Sequence, residues 1–312
     1  CLLSRGLGDV YKRQILGASA PKINNADMKS YGWEMELSWR DRIEDFNYGV
    51  RFTLADGQRK VLKYPNESGD IYSWYNNKLD GTIWGYTTVG IAQTQEEMDA
   101  HLANNKPNWG SNWGAGDIMY ADLNGDGEVT SGSKTLNDHG DLKVIGNSYA
   151  RYNFGFTVDG SWRGLDFSIF LQGTMKRDYW LDGPYFWGAS GDEWQSACFT
   201  EHLDYWTPEH TNAYYPKPYF GNIKKNQEVQ SGYLQNAAYL RVKNVQVGYT
   251  LPKSWTKKAA MESVRFYVSG DNLLTWTGIS SIFDPETLGG DWGPGKLYPL
   301  QRTLSVGVNV NF

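Results

Sequence analysis

Residues 31–40, YGWEMELSWR, alternate between large apolar or aromatic side chains and polar or small ones. The odd positions are Tyr31, Trp33, Met35, Leu37 and Trp39, and the even positions are Gly32, Glu34, Glu36, Ser38 and Arg40. Successive side chains of a β-strand point to opposite faces, so this period of two predicts a strand with one apolar and one polar face.

The same two-residue period returns along the whole chain. The further segments that show it are Phe46–Leu54, Ala150–Asp159, Leu165–Met175, Tyr239–Leu251, Val264–Leu274 and Thr303–Phe312. Within Tyr239–Leu251 the phase slips near Lys243, which predicts a β-bulge. We therefore expect an all-β, antiparallel fold with seven long strands.

The connections between these strands alternate between short or medium and long. The long ones are 55–149, 176–232 and 275–302, and the others are 41–45, 160–164 and 252–263. Because successive antiparallel strands reverse direction, the long connections all fall at one end of the sheet. This asymmetry is typical of transmembrane β-barrels, whose long loops are extracellular and whose strands span about 9–11 residues.

Two further features favour a portion of a transmembrane β-barrel over a soluble sandwich. The polar face carries Glu34, Glu36, Arg51, Arg151 and Asp159, which suit a wet lumen better than a dry core. The chain also ends on an amphipathic strand with a terminal aromatic residue, Phe312, as outer-membrane proteins do.

Composition argues against several other classes of protein. The net charge is −5 and the basic residues are scattered, so we expect no nucleic-acid partner. No run approaches the roughly 20 apolar residues of a membrane helix. Neither the four histidines nor any acidic pair shows a catalytic or zinc-binding spacing, so we expect no enzyme. The histidines are His101, His139, His202 and His210.

The first residues, CLLSRGLGDVYKRQ, lack the apolar core and cleavage site of a signal peptide. We interpret residues 1–14 as a non-native prefix and residues 15–312 as the barrel part.

Several blocks, in this order, resemble the C-terminal part of SusC/RagA-like TonB-linked outer-membrane proteins. They include GWEMELSWR, GDIMYADLNGDGEV, YLRVKNVQVGYTLPKSW and FDPETLGGDWGPGKLYPLQRTLSVGVNVNF. The resemblance implies a TonB-dependent transporter in a Gram-negative outer membrane, with a barrel of about 22 strands and an N-terminal plug. It also implies import of oligosaccharides or peptides beneath a SusD-like surface lipoprotein, driven by the TonB complex, with the plug and first strands outside this chain.

The stretch DLNGDGEV, residues 122–129, has the ligand spacing of a calcium-binding loop. Ser133 occupies the position that needs a bidentate acid, so a downstream aspartate would have to close the site. We expect a structural Ca²⁺, and the alternative is an Asn/Asp/Gly turn satisfied by its own side chains. The candidate ligands are Asp122, Asn124, Asp126, Glu128 and either Asp138 or Asp141.

The second long connection is rich in aromatic residues with acids beside them. Flat rings stack on sugar faces, so these residues are candidates for a glycan entrance or a contact with the lipoprotein lid, and peptide cargo is equally compatible. The alternative is that they pack the loop itself. The candidates are Trp180, Trp187, Trp194, Trp206, Tyr214 and Tyr215.

Shorter signals predict local features. Residues 94–101 predict a surface helix capped by Thr94, with Glu97 completing a capping box. Pro252 should end a strand, and we expect Arg177, Lys224 and Lys225 to be loop charges. The competing function is a secreted or surface calcium-stabilised β adhesin, which leaves the loop asymmetry and Phe312 unexplained.

Overall fold

A computed structural model describes residues 25–188, 198–219, 224–289, 293 and 295–312, so the predicted prefix 1–14 lies outside the described residues. In chain order, the strands are β1 Asp27–Ile43, β2 Phe46–Lys63, β3 Thr82–Gly85, β4 Thr88–Ile91, β5 Lys106–Pro107, β6 Ile118–Tyr120, β7 Glu128–Val129, β8 Lys143–Asn147, β9 Arg151–Trp162, β10 Leu165–Lys176, β11 Asp178–Tyr179, β12 Gln235–Thr250, β13 Ser263–Gly278 and β14 Thr303–Asn311. The α-helices are α1 Gln95–Leu102, α2 Pro184–Trp187, α3 Lys224–Gln227 and α4 Lys253–Thr256.

The long strands form one antiparallel sheet, which we call the main sheet. Its order is β1-β2-β9-β10-β12-β13-β14, with the short β11 also paired to β12. Each predicted strand segment coincides with one of these long strands, apart from the single end residues Ala150, Leu251 and Phe312, so the prediction of a mostly antiparallel β fold is confirmed. The described sheet is open rather than closed into a barrel, with β1 and β14 at its two edges.

Strand pairing keeps the apolar residues of neighbouring strands in phase. Trp39 lies opposite Val50, and Val50 lies opposite Val158. Ile169 in turn lies opposite both Val158 and Val245. Because directly opposed residues share a face, this register produces an apolar row that runs across five strands.

A bulge in β12 preserves this phase. Leu171 pairs with Val242, whereas the adjacent Phe170 pairs with Asn244, so Lys243 is the extra residue. The bulge near Lys243 predicted from the sequence is confirmed. Without it, the residues on one side of Lys243 would turn their apolar side chains to the polar face.

The apolar face of the main sheet is uncovered. Its exposed side chains include Trp39 at 63%, Leu304 at 74% and Val306 at 82% relative accessibility. Contiguous apolar patches larger than a few hundred Å² mark contact with another protein or a membrane. No helix in the described part of the chain is both long and apolar enough to cross a membrane.

The opposite face of the main sheet carries ion pairs between strands. Arg51 Nε lies 2.9 Å from Glu36 Oε1, and Arg40 Nη2 lies 3.3 Å from Asp159 Oδ1. Arg151 also pairs with Asp56 of the neighbouring strand β2, and Asp56 lies directly opposite Trp33. The sequence predicts five charged residues on the polar face. Four of them, all except Glu34, form ion pairs with residues of neighbouring strands.

Several strands extend beyond their predicted ends. Strand β2 continues past Leu54 to Lys63, β12 begins at Gln235 rather than Tyr239, and β13 continues to Gly278. Along these extensions the backbone groups still find partners on neighbouring strands, such as Gln58 opposite Tyr31. Strand length here follows backbone pairing rather than the apolar period, so the sequence pattern underestimates it.

The predicted helix and its first cap are confirmed. Helix α1 begins after Thr94, whose hydroxyl accepts a hydrogen bond from the Glu97 N–H at 3.2 Å. The second hydrogen bond of the predicted capping box is not the one expected. Glu97 Oε2 accepts a hydrogen bond from the Gln93 N–H at 2.6 Å instead of from the Thr94 N–H. Strand β12 ends at Thr250, two positions before Pro252, as predicted.

Gly173 in β10 tests the close packing of the main sheet. A Cβ at this position would lie 2.1 Å from the carbonyl oxygen of Tyr239, whereas a Cβ at Gly57 in β2 would meet no atom closer than 3.8 Å. We expect Gly173→Ala to destabilise the fold by about 1–3 kcal/mol, because the backbone must shift. Gly57→Ala is the matched control, and thermal unfolding followed by circular dichroism should show no loss for it. Equal midpoints for the two variants would contradict the register of β10 against β12.

Candidate functional site

The three long connections fold together at one end of the main sheet. We call this body the loop cluster and define it as residues 64–150, 177–234 and 279–302, as far as the structure describes them. All three contribute to one hydrophobic core, so the loops support each other instead of lying separately on the surface. The buried core residues are Ile71, Tyr86, Ile118, Tyr120, Val129 and Leu142 from the first connection, Leu181, Phe186, Trp187, Tyr215 and Tyr233 from the second, and Ile279, Phe283 and Leu288 from the third.

A buried ion pair joins the first and second connections. Lys225 Nζ lies 2.6 Å from Asp117 Oδ2, and neither side chain has exposed surface. Asn226 completes the junction, because its Nδ2 donates to Asp117 Oδ1 at 3.0 Å and its Oδ1 accepts from the Ile118 N–H at 2.9 Å. The ammonium also lies 4.3 Å from the centre of the Tyr219 ring.

The interpretation of Lys225 as an ordinary loop charge is therefore wrong. Its partner Asp117 comes from the first connection, far away in sequence, so local sequence gives no sign of its burial. Arg177, interpreted in the same way, is half-buried. Its guanidinium donates to the carbonyl of Ser148 at 3.1 Å and to that of Pro285 at 3.3 Å, which links all three connections. The side chain of Lys224 lies outside the described residues.

A second charged group holds the third connection over the polar face of β12. Arg241 is nearly buried and lies 2.7 Å from Asp284 and 2.8 Å from Glu286. Burial raises the pKa of Asp284, but hydrogen bonds from Arg241 and from the backbone N–H groups of Glu286 and Leu300 outweigh burial, so its pKa is lowered. Asp284 thus stays ionised and paired at neutral pH.

The predicted aromatic candidates occupy different environments. Trp187, Trp206 and Tyr215 are buried, with relative accessibilities of 7%, 5% and 6%. The Trp187 ring packs 4.8 Å from Tyr233 and its indole lies among other aromatic rings. These contacts agree with the packing alternative for these three residues.

The other candidates are more accessible. Trp180 is half-buried against the core, and Tyr214 is 43% exposed. The Tyr214 hydroxyl accepts a hydrogen bond from Gln235 Nε2 at 2.9 Å, and burial of the phenol raises its pKa. Trp194 lies outside the described residues.

The residues of the candidate calcium loop bind the backbone of the loop. Asp122 accepts hydrogen bonds from the N–H groups of Asn124, Gly125 and Gly127 at 3.0, 2.7 and 2.8 Å. These bonds, that from Gly127 above all, lower the pKa of Asp122. Asp126 likewise accepts from the Glu128 N–H at 2.9 Å.

The two acids predicted to close the loop differ in position. Asp141 is buried and accepts from the N–H groups of Leu123 and Thr130, each at 2.7 Å, so it contacts both ends of the loop. Asp138 instead accepts from the N–H and hydroxyl of Ser133, and this hydroxyl chiefly lowers the pKa of Asp138. Nowhere in the described ranges do three or more acidic, His or Cys side chains converge as ligands, so a calcium ion here would need Asn124, backbone carbonyls or water as well.

The histidines serve separate local contacts. His101 Nε2 lies 2.8 Å from the carbonyl of Tyr120, and His202 Nδ1 accepts from the Phe199 N–H at 2.9 Å. His210 pairs with Asp204 at 2.8 Å. These three belong to different hydrogen-bonded groups.

Comparison with known proteins shows similarity to TonB-dependent receptors. It is 26% identical over 326 residues to the TonB-dependent receptor P3 of Formosa agariphila, a match that covers 95% of this chain and 30% of the relative. It is 22% identical over 304 residues to the TonB-dependent receptor SusC of Bacteroides thetaiotaomicron, with 93% of this chain and 27% of the relative covered. No family model matches the chain.

Solved structures show the same fold. The structure of the RagAB peptide transporter superimposes with a TM-score of 0.66 at 22% identity and covers 97% of this chain and 32% of that chain. Over nearly its whole length the chain is similar to TonB-dependent receptors, which confirms the resemblance found in its sequence. It spans about 30% of the length of the relatives that it matches.

The Asp117–Lys225 pair tests how the loop cluster is held together. We expect Asp117→Asn to cost about 3–5 kcal/mol, because it leaves the buried ammonium without its counter-charge. The matched control is Asp45→Asn, which breaks the exposed Arg163–Asp45 pair and should cost no more than about 1 kcal/mol. Limited proteolysis within residues 64–150 and 177–234 measures the opening of the junction. Equal cleavage rates in the two variants would contradict the assignment.

Proposed function

We propose that the chain is part of the barrel of a TonB-dependent outer-membrane importer. The observation that carries this proposal is the exposed apolar face of the main sheet. The apolar side chains of neighbouring strands lie on this one face, and charged side chains lie on the opposite face. Such a sheet suits an acyl-chain environment on one side and an aqueous lumen on the other. Similarity to the TonB-dependent receptors over nearly the whole chain supports it.

The loop cluster would then face the outside of the cell. It would contact a SusD-like surface lipoprotein, while the TonB complex would act through a part of the receptor that this chain does not span. The cargo would be oligosaccharide or peptide, and the RagAB structure, described as a peptide transporter, is the likeness that favours peptide. A secreted β adhesin is less favoured, because its sheet would expose the apolar face to water.

Substitutions on the two faces of β13 test the membrane assignment. Val268 is 54% exposed on the apolar face, and the adjacent Ser269 lies on the polar face opposite Gln246 and Ser305. We expect Val268→Lys to lower the free energy of unfolding in lipid vesicles by about 2–4 kcal/mol, and with it the folded fraction, since lysine would enter the bilayer. Ser269→Lys should have little effect. Heat-modifiable gel mobility measures the folded fraction. In a water-soluble protein, Val268→Lys at this exposed site would be tolerated.

For the calcium loop, we propose that Asp122, Asn124, Asp126 and Glu128 bind a structural Ca²⁺ with Asp141 or Asp138 completing the site. A carboxylate offers about four lone-pair positions, so Asp122 keeps room for a cation beside its three N–H donors. This ion would stabilise the fold of the first connection.

Calcium should raise the melting temperature of the protein, and Asp122→Asn should abolish the increase. Asp99→Asn, on helix α1, is the matched control and should keep it. Equilibrium dialysis with ⁴⁵Ca²⁺ measures uptake directly. If the protein takes up no Ca²⁺, or if uptake does not depend on Asp122 and Asp126, the correct interpretation is a turn satisfied by its own side chains.

Trp180 and Tyr214 are the described aromatic candidates with the most available ring surface, and we propose that they contact cargo or lid. Trp187, Trp206 and Tyr215 would support them from the core, and Trp194 remains a further candidate.

In a strain lacking the gene, we expect the full-length protein to restore growth on its glycan or peptide. Trp180→Ala combined with Tyr214→Ala should slow that growth, whereas Trp255→Ala, at the other end of the sheet, should not. Normal growth of the deletion strain on every polymer tried would contradict the import proposal.

A further inference from the structure

The turn between β12 and β13 is basic and carries an exposed tryptophan. We define the basic turn as residues 252–262, which include helix α4 and the 3₁₀ turn Lys257–Ala259. Trp255, in α4, has a relative accessibility of 63%. The basic turn thus combines an uncovered apolar ring with a concentration of positive charge. Its exposed lysines are Lys253, Lys257 and Lys258.

Hydrogen bonds hold the backbone of the basic turn. The Met261 N–H donates to the Thr256 carbonyl at 3.1 Å, and the Glu262 N–H donates to the carbonyl of Asn311 in β14 at 2.8 Å. Thr256, at the centre of the turn, is 2% exposed. The segment that carries Trp255 and the three lysines therefore has a defined position at the end of the main sheet.

The basic turn lies over the end of the apolar face of the main sheet. In β13, Val264, Phe266 and Val268 share that face, because side chains alternate and Arg265 pairs with Asp166 on the polar face. Phe266 and Val268 are 48% and 54% exposed, whereas Val264 is only 5% exposed. We attribute the burial of Val264 to the basic turn, since helix α4 lies against β13. The lysines are thus next to the face that is proposed to meet lipid.

The lysines of the basic turn lack partners of opposite charge. No ion pair in the described part of the chain includes any of the three. The basic turn contains one acid, Glu262. The two short turns at the same end of the sheet differ, because Asp45 lies 2.9 Å from Arg163 and 4.0 Å from Arg42. Positive charge is therefore paired at those two turns and unpaired at the basic turn.

We propose that the basic turn binds the phosphate headgroup of an anionic phospholipid. The lysine ammoniums reach the phosphate, while their apolar stems and the Trp255 ring lie along the boundary with the acyl chains. Lysine binds phosphate as a point charge without a fixed fork of donors, which suits a mobile headgroup. A zwitterionic phospholipid carries its own cation beside the phosphate, so it gains less from three ammoniums.

The inference rests on the proposed membrane location of the main sheet and adds a preference for one class of headgroup. An acidic protein fits the basic turn less well, because the neighbouring surface is an exposed apolar row. That row consists of Tyr249, Phe266 and Val308, which lie opposite each other on three strands. A lipid contacts the row with its acyl chains and the basic turn with its headgroup.

Photocross-linking of the full-length protein in bilayers tests the inference. The bilayers contain equal amounts of phosphatidylcholine and phosphatidylglycerol, and one of the two is radiolabelled in each experiment. Ser254→Cys, in a background without other cysteines, carries a benzophenone beside the lysines. We expect cross-linking to phosphatidylglycerol to exceed cross-linking to phosphatidylcholine about threefold or more, since each lysine near an anionic surface favours binding.

Lys257→Gln combined with Lys258→Gln should reduce this preference to nearly equal cross-linking of the two lipids. The matched control is Arg42→Gln combined with Arg163→Gln. It removes the same amount of charge from the neighbouring short turns and should keep the preference. Heat-modifiable gel mobility verifies that each variant is folded.

Equal cross-linking of the two lipids before the lysines are substituted, or an equal loss of preference in both double variants, would overturn the inference. A preference lost in phosphate buffer but kept in chloride at the same ionic strength would also overturn it, since the basic turn would then bind free phosphate. A folded protein that cross-links to neither lipid would contradict the proposed membrane location as well.

Discussion

The structure depends on strand register. A shift of one residue between any two neighbours of the main sheet would move an entire strand of apolar side chains to the charged face. The pairing avoids this across the sheet, and where the sequence itself changes phase, at Lys243, a bulge corrects it. The separation of the two faces, on which the proposed membrane location rests, follows from that register.

Antiparallel pairing also determines where the loop cluster can form. Because the long connections leave the same end of the sheet, they can share one core instead of each requiring its own. Long connections bring many polar groups with them, and the buried ones need partners. The Asp117–Lys225 pair and the Arg241–Asp284 pair supply such partners between connections, or between a connection and a strand. Specific charge pairing, together with aromatic packing, thus holds the loops in one arrangement.

Much of the fold is predictable from sequence, because a period of two has a direct structural meaning. The strands, the bulge at Lys243 and the helix capped by Thr94 all follow from local patterns. The strand ends do not, because residues such as Gln58 are held in β2 by pairing with β1. The burial of Lys225 cannot be predicted for a related reason, since its partner lies in another connection.

The sequence identifies the aromatic candidates of the second connection. It does not show that Trp187, Trp206 and Tyr215 are buried while Tyr214 is exposed.

The two faces of the main sheet are proposed to meet lipid and water respectively, and labels on β13 test this most directly. Single cysteines at 266, 267, 268 and 269 in β13, in a background with Cys1 and Cys198 replaced by serine, would carry nitroxide labels in lipid bilayers. Collision rates with oxygen, which concentrates in lipid, and with a water-soluble nickel complex would then be compared. If the apolar face meets lipid, collisions with oxygen will dominate at 266 and 268 and collisions with nickel at 267 and 269. Nickel accessibility at 266 and 268, or no alternation along the strand, would contradict it.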